Sequence, residues 1–98
     1  MKMIGSPMTV RTRLLTVCGR LYKEGSGFFW DLSVGENKTS KLYLAKADES
    51  SKTENEAYLK MKVTLISELK VLKMDTSVVA ELQRLRERTC QVDLFGVA

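Results

Sequence analysis

The chain of 98 residues is long enough for one domain and too short for two. Apolar residues make up 44% and charged residues 29%, which excludes a disordered segment and fits a globular domain. The longest apolar stretch without a charge, around 14–19, is far shorter than the roughly 18–20 residues of a membrane span. We therefore expect a flexible leader at 1–7 without a secretory signal, a single domain at 8–98, and no membrane partner.

The types of residue present exclude most enzyme classes. Histidine is absent, which removes histidine-based acid–base chemistry, the common nucleophile triads and the usual zinc sites. Cys18 and Cys90 lie far apart and form no metal-binding pair, so we expect reduced cysteines of a cytoplasmic protein, with no metal or cofactor. Three carboxylates, Asp31, Glu36 and Asp93, show no paired spacing that supports catalysis. The sequence therefore predicts that this protein is not an enzyme.

The charge balance is mildly basic. A net charge of +4 and a pI near 9.2 permit binding to a polyanion without requiring it. The same balance is found in proteins with a merely solvated positive surface. Charge alone therefore does not decide between these possibilities.

The first strand is predicted from Val10 to Tyr22, where β-branched and apolar residues are concentrated. The odd positions begin with Arg11 and Arg13 and continue with leucine and valine, so the buried face changes partway along. A β-bulge explains such a change, and Gly19 is the candidate position. We therefore expect one long, bent strand that serves two sheet surfaces.

A second strand is predicted at 28–34, where the residues alternate with period two. The segment 23–27, with two glycines, forms the turn before it, and 35–38 forms the turn after it. We place Trp30 in the core, which turns its neighbour Phe29 outward. Together with a third strand that follows, these segments form a three-stranded meander.

The third strand is predicted at 41–46. We place Leu42 and Leu44 in the core because they are its most apolar residues. This orientation turns Lys41 and Tyr43 towards solvent.

Residues 57–73 fit two patterns. A helix would begin at a capping box in 51–54 and bury a stripe from Ala57 to Leu72, but it would leave several apolar residues on its other side. A strand with period two collects more of them on one face, with Ser67 as the exception. We therefore expect one bent strand or two short ones, with the helix as the alternative. The exposed face of this segment carries Tyr58, Lys60 and Lys62.

A helix from Val78 to Arg88 follows residues 75–77, which supply N-cap side chains, and 90–97 closes the chain as a strand. This order of elements predicts a mostly β, α+β domain. We expect a small five- to six-stranded OB-like barrel with one helix before the last strand. An SH3-like barrel and an open α+β sheet with the helix covering one side are the alternatives.

Aromatic rings beside lysines on neighbouring strands suit single-stranded nucleic acid, because rings stack on bases and cations contact phosphates. Each stacked base contributes roughly 1–3 kcal/mol. Lysines that alternate with core residues are also typical of any solvated sheet face, and tyrosines commonly pack against each other across strands. A purely structural role for these residues is therefore the second interpretation, and it stays open. The predicted nucleic-acid-binding residues are Arg11, Arg13, Phe29, Lys41, Tyr43, Tyr58, Lys60 and Lys62.

The hairpin at 21–32 and the closing segment at 90–94, together with the chain's size, resemble the small single-stranded-DNA-binding proteins of filamentous bacteriophages and related OB-fold proteins. The resemblance covers most of the chain as an architecture and includes no diagnostic motif. It implies a homodimer that coats single-stranded DNA cooperatively. The helix at 78–88 departs from the family's pattern.

The alternative function is a small protein-interaction module or inhibitor, of a phage or plasmid type, that docks on a host protein. The helix at 77–88 or the strand at 91–97 would then mediate docking or dimerisation, the strand by β-augmentation. Salt separates the two functions, because phosphate contacts weaken with salt and an apolar interface changes little. The partners expected from the sequence are therefore single-stranded DNA or RNA, a second copy of the chain, or another protein.

Overall fold

A computed structural model describes residues 2–74 and 76–97, without the side chains of 88–97. It shows five antiparallel strands in one sheet and two helices on one face of that sheet, so the α+β class is confirmed. The elements are β1 (Lys2–Met3), β2 (Met8–Arg11), β3 (Leu15–Glu24), β4 (Gly27–Glu36), β5 (Leu42–Lys46), α1 (Glu54–Val71) and α2 (Ser77–Val97).

The sheet is open rather than closed into an OB-like barrel. Strand β3 pairs with β4 on one side and with both β1 and β2 on the other, while β5 pairs with β4. Among the described strands, none pairs with the outer edge of β5, so the two edges of the sheet do not meet. The architecture is that of the open α+β sheet, and β1 lies within the segment expected to be a leader.

The β3–β4 hairpin is the centre of the sheet, and both of its strands are ten residues long. Glu24 pairs with Gly27, so the turn between the strands has only two residues, Gly25 and Ser26. Gly25 has φ of +60°, as the first central residue of a type II′ turn requires. The turn is shorter than the five residues expected because the strands pair up to its ends.

The predicted long first strand is in fact two strands joined by a tight turn. Thr12 donates its backbone N–H to the carbonyl of Leu15 at 2.7 Å, and its hydroxyl accepts from the Leu15 N–H at 3.0 Å. This turn, not a bulge, causes the change of face along the sequence. Gly19 pairs regularly with Leu32, and its missing side chain makes room for Met61, whose Sδ would lie 2.7 Å from a Cβ at this position.

Strand β5 has the orientation opposite to the expected one. Tyr43 lies across from the buried Val34, so Tyr43 and Ala45 face the core. Leu42 and Leu44 are 63% and 75% exposed on the other face. The prediction that the leucines point inward was wrong, because pairing with β4 determines which face each residue takes.

Residues 54–71 form helix α1, so the strand prediction for this segment was wrong and the helical alternative was right. The hydroxyl of Thr53 accepts from the N–H of Glu56 at 3.1 Å, and the Glu56 carboxylate accepts from the N–H of Lys52 at 3.4 Å. This capping arrangement lies two residues later than the predicted box. The helix ends in a Schellman motif, in which the N–H of Met74 donates to the carbonyl of Leu69 at 2.9 Å.

Helix α2 continues to Val97, through the segment predicted as the closing strand. That segment therefore supplies no sheet edge, and the predicted β-augmentation at 91–97 has no strand to use. The side chains at its end, including the Cys90 thiol and the Asp93 carboxylate, lie outside the described residues.

The core lies between the sheet and the two helices. Strands β2, β3 and β4 contribute alternate residues, and Trp30 is only 8% exposed, which confirms its place in the core. Helix α1 packs on β3 and β4, α2 packs on β2, and the two helices contact each other. The largest fully buried core side chains are Val17, Leu32, Val34, Met61, Leu65, Leu69 and Leu82.

Candidate nucleic-acid interface

One face of the sheet is covered by neither helix, and we call it the open face. Cross-strand pairing places its residues: those opposite each other on neighbouring antiparallel strands share a face. All of them are half-buried or exposed. The open face carries Met3, Thr9, Arg11, Thr16, Cys18, Arg20, Tyr22, Glu24, Gly27, Phe29, Asp31, Ser33, Gly35, Leu42, Leu44 and Lys46.

Two aromatic rings lie side by side on the open face. Tyr22 of β3 pairs directly with Phe29 of β4, and both side chains are half-buried. Directly opposite residues have Cβ atoms about 4.5–5.5 Å apart. The two rings are therefore cross-strand neighbours on the open face, near the two-residue turn of the hairpin.

A polar cluster adjoins the rings. The Tyr22 hydroxyl donates to Oδ2 of Asp31 at 2.8 Å, and Arg20 and Lys46 lie across from Asp31 on the two neighbouring strands. The Arg20 side chain is exposed, and its hydrogen bond with the Tyr22 hydroxyl raises the pKa of Arg20. Two cations therefore flank Asp31 at the centre of the open face, and both are exposed.

The Tyr22 hydroxyl is held in its neutral, hydrogen-donating form. Burial raises the pKa of Tyr22, the hydrogen bond to Asp31 raises it further, and the positive charge of Arg20 opposes both. Because the folded state favours the neutral phenol, the neutral Tyr22 side chain stabilises the fold below about pH 10, the ordinary tyrosine pKa. This stabilisation is lost as the pH rises through the pKa of Tyr22 in the folded state.

We expect Asp31→Asn to lower the pKa of Tyr22 and Arg20→Gln to raise it, because the two side chains act on the phenol in opposite directions. NMR titration of ring-labelled tyrosine, with Tyr22→Phe to assign the signal, measures both shifts. Tyr43 is an internal control, since its own raised pKa comes from burial and Glu36. Shifts of the same sign in both variants would contradict the arrangement.

A shallow cleft of about 730 Å³ continues the open face from the polar cluster to β5. Its lining combines the polar cluster with the two exposed leucines of β5, so it joins charged and apolar surface. The lining residues are Arg20, Asp31, Leu32, Ser33, Leu42, Leu44, Ala45, Lys46 and Asp48.

The structure brings two of the residues predicted from sequence to the open face. Phe29 faces outward, as expected from the burial of Trp30. Arg11 lies on the same face at the distant end of β2, across from Thr16, and Arg13 is exposed in the turn beside it. These basic residues therefore lie near the end of the open face opposite to the Tyr22–Phe29 pair.

The residues predicted on the third strand lie elsewhere. Tyr43 faces the core side of the sheet, where its hydroxyl donates to Oε2 of Glu36 at 3.2 Å. Lys41 is exposed just before β5 begins. The expectation of an outward-facing Tyr43 was wrong because β5 has the reversed orientation.

The three predicted residues of 57–73 belong to helix α1, on the opposite side of the sheet from the open face. Tyr58 is 4% exposed, and the Arg86 guanidinium lies 5.5 Å from its ring centre. Lys60 pairs with Glu56 at 3.4 Å, and the Lys62 ammonium donates to Gln83 at 2.9 Å. Their expected common strand face was wrong, since helical spacing places Tyr58 and Lys62 on the side of α1 that contacts α2 and turns Lys60 away from them.

Sequence reasoning missed Tyr22, Arg20 and Lys46 as candidates. A signal for the first two was present: Arg20 and Tyr22 alternate with the buried Gly19 and Leu21 in the second half of β3. The assumed change of face at Gly19 obscured that alternation. Lys46 was missed because β5 was oriented with its even positions inward.

Among the described residues, no group of three or more potential ligands is arranged to hold a metal ion. Within the same residues, no helix has the length and apolar character needed to cross a membrane. Cys18 carries a free thiol and lies half-buried on the open face.

Comparison with protein-family models, with curated proteins and with solved structures finds no match.

Proposed function

We propose that this protein binds single-stranded nucleic acid, without catalysis, on the open face of its sheet. The pair of rings formed by Tyr22 and Phe29, flanked by exposed Arg20, is the observation that carries the proposal. An antiparallel sheet with one helix-free face and outward aromatics is a platform on which successive bases stack. Unlike a duplex, a single strand exposes the faces of its bases to such a platform.

The cations supply the contacts with the backbone of the ligand. Arg20 and Lys46 flank the rings and the cleft, and Arg11 extends the basic surface to the other end of the open face. Asp31 repels phosphate, but the Tyr22 hydroxyl and the two neighbouring cations offset its charge. We propose single-stranded DNA as the favoured ligand, on the resemblance to phage proteins, and a cytoplasmic site of action in which the Cys18 thiol stays reduced.

Fluorescence anisotropy with a labelled single-stranded oligonucleotide tests the proposal. Three phosphate contacts predict a log–log dependence of affinity on salt with a slope of about −2, from the relation of about −0.7 per contact for single strands. We expect a matched duplex to bind more weakly, because its bases are stacked on each other. Titrations with DNA and RNA of the same sequence determine which ligand is preferred.

A pair of charge reversals locates the binding face. Lys46 lies on the open face, and Lys46→Glu is expected to weaken binding of the oligonucleotide and to reduce the salt slope. Lys60 lies on α1, and Lys60→Glu makes the same change of charge there and is expected to leave the affinity and the salt slope unchanged. Absence of binding at low salt would overturn the proposed function. Equal losses in the two variants would show that binding follows net charge rather than the open face.

A further inference from the structure

We propose that the free edge of β5 is a docking surface for a second copy of this chain, in which the two β5 strands pair antiparallel to form one continuous sheet. The inference goes beyond the proposed function, because it concerns the edge of the sheet and not its open face. It replaces the dimer expected through 91–97, where the described backbone is helical.

The backbone of β5 has hydrogen-bonding groups available at this edge. Ala47 donates to the carbonyl of Trp30 and Lys41 accepts from the N–H of Glu36, so the odd residues of this segment direct their backbone groups towards β4. In an antiparallel ladder the alternate residues direct theirs to the other side. The N–H and C=O groups of Leu42, Leu44 and Lys46 therefore point away from β4, along an edge that no described strand covers.

The side chains on this strand are unusually apolar for a free edge. Leu44 is 75% exposed and Leu42 is 63% exposed. Edge strands in monomers are commonly protected by charges, proline, bulges or a covering segment. Lys46 is the only charged residue within β5, so the edge is weakly protected against pairing.

The charges at the two ends of the strand favour a second copy as the partner. Lys38 and Lys41 precede β5, and Asp48 and Glu49 follow it; all four are exposed. In an antiparallel pair of identical strands, the basic beginning of one strand lies beside the acidic end of the other. The edge is therefore complementary in charge to itself, as a two-fold symmetric interface requires.

A two-fold axis perpendicular to the sheet at Leu44 accounts for both the exposed leucines of β5 and the opposite charges at its two ends. It places Leu44 opposite Leu44 of the second copy and Leu42 opposite Lys46, whose aliphatic stem packs beside leucine. The symmetry keeps both open faces on the same side of the combined sheet. Pairing at this edge therefore leaves the rings of each copy accessible.

Sedimentation equilibrium over a range of protein concentrations tests the proposal without nucleic acid, so its result is independent of the proposed function. We expect the wild type to dimerise and Leu44→Lys to be monomeric. Val71→Lys is the matched control, because Val71 is also 75% exposed but lies on α1, and it is expected to dimerise normally. Circular dichroism establishes that each variant is folded.

A charge exchange tests the pairing direction. Lys41→Glu alone and the double substitution D48K/E49K are each expected to weaken the dimer at least several-fold, because each places like charges together. Combining all three substitutions is expected to restore dimerisation, because position 41 then carries the charge opposite to that of positions 48 and 49. A monomeric wild type, a dimer that survives Leu44→Lys, or failure of the combined variant to recover would each overturn the proposal.

Discussion

Replacing Phe29 with alanine is expected to weaken binding of a single-stranded oligonucleotide by about 5- to 150-fold, the equivalent of the roughly 1–3 kcal/mol that stacking of one base contributes. The ring lies beside Tyr22 on the face of the sheet that carries no helix, so its removal takes away half of the platform. Anisotropy titration at fixed salt measures the loss. Tyr22→Ala is expected to have an effect of the same size.

Two variants separate loss of stacking from loss of folding. Phe29→Leu keeps an apolar cross-strand partner for Tyr22 but has no aromatic ring, so it is expected to bind nearly as poorly as the alanine variant. Val63→Ala removes an exposed apolar residue from α1 and is expected to bind normally. Wild-type affinity in Phe29→Ala would refute the stacking platform.

Replacing Leu65 with alanine is expected to reduce the free energy of unfolding by about 2–5 kcal/mol, because it leaves a cavity in a well-packed core. Leu65 lies on α1, is fully buried, and belongs to the layer between the helices and the sheet. Urea denaturation measures the change. A loss of this size is a large fraction of the stability of a domain of about this length.

Comparison with Val63, two residues before Leu65, distinguishes a helix from a strand in this segment. Val63 is 65% exposed, so Val63→Ala is expected to change stability by no more than about 0.5 kcal/mol. In a strand, residues two apart lie on the same face and would be similarly sensitive. Equal destabilisation by the two variants would therefore contradict the helical structure of 54–71.

The meander was predictable from local pattern alone. The alternation around Trp30 identifies β4 and its buried face correctly, because one face of that strand is packed and the other is open. In β5 the same reasoning failed, since both faces carry apolar residues and the pattern gives no preference. Only the register with β4, which pairs Tyr43 with Val34, determines its orientation.

The helix α1 was not recognised because its amphipathic pattern is weak. Leu59, Val63 and Val71 are apolar but exposed, and they are placed where a helix would ordinarily carry polar residues. The lysines at 60 and 62 alternate with apolar residues and so produce the period-two pattern of a strand. The stripe that is actually buried, from Ala57 to Leu69 at helical spacing, is determined by packing on β3 and β4.

The sequence predicted the types of residue in the candidate site, but not most of the individual residues. Aromatic and basic residues together were expected, and Phe29 and Arg11 do lie on the open face. Lys46 depends on the face of β5, which local sequence did not determine, whereas the alternation that places Arg20 and Tyr22 was obscured by the change of face assumed at Gly19. The sequence-based set was therefore divided between the two sides of the sheet.

The connectivity of the sheet has a consequence for how quickly the chain reaches its fold. Strands β2, β3, β4 and β5 pair in chain order, and a turn of only two residues joins the ten-residue strands β3 and β4. Closing such short loops costs little chain entropy, and domains dominated by local contacts fold faster than those with distant pairings. The transition state is therefore expected to contain the β3–β4 hairpin, with the helices docking onto it afterwards.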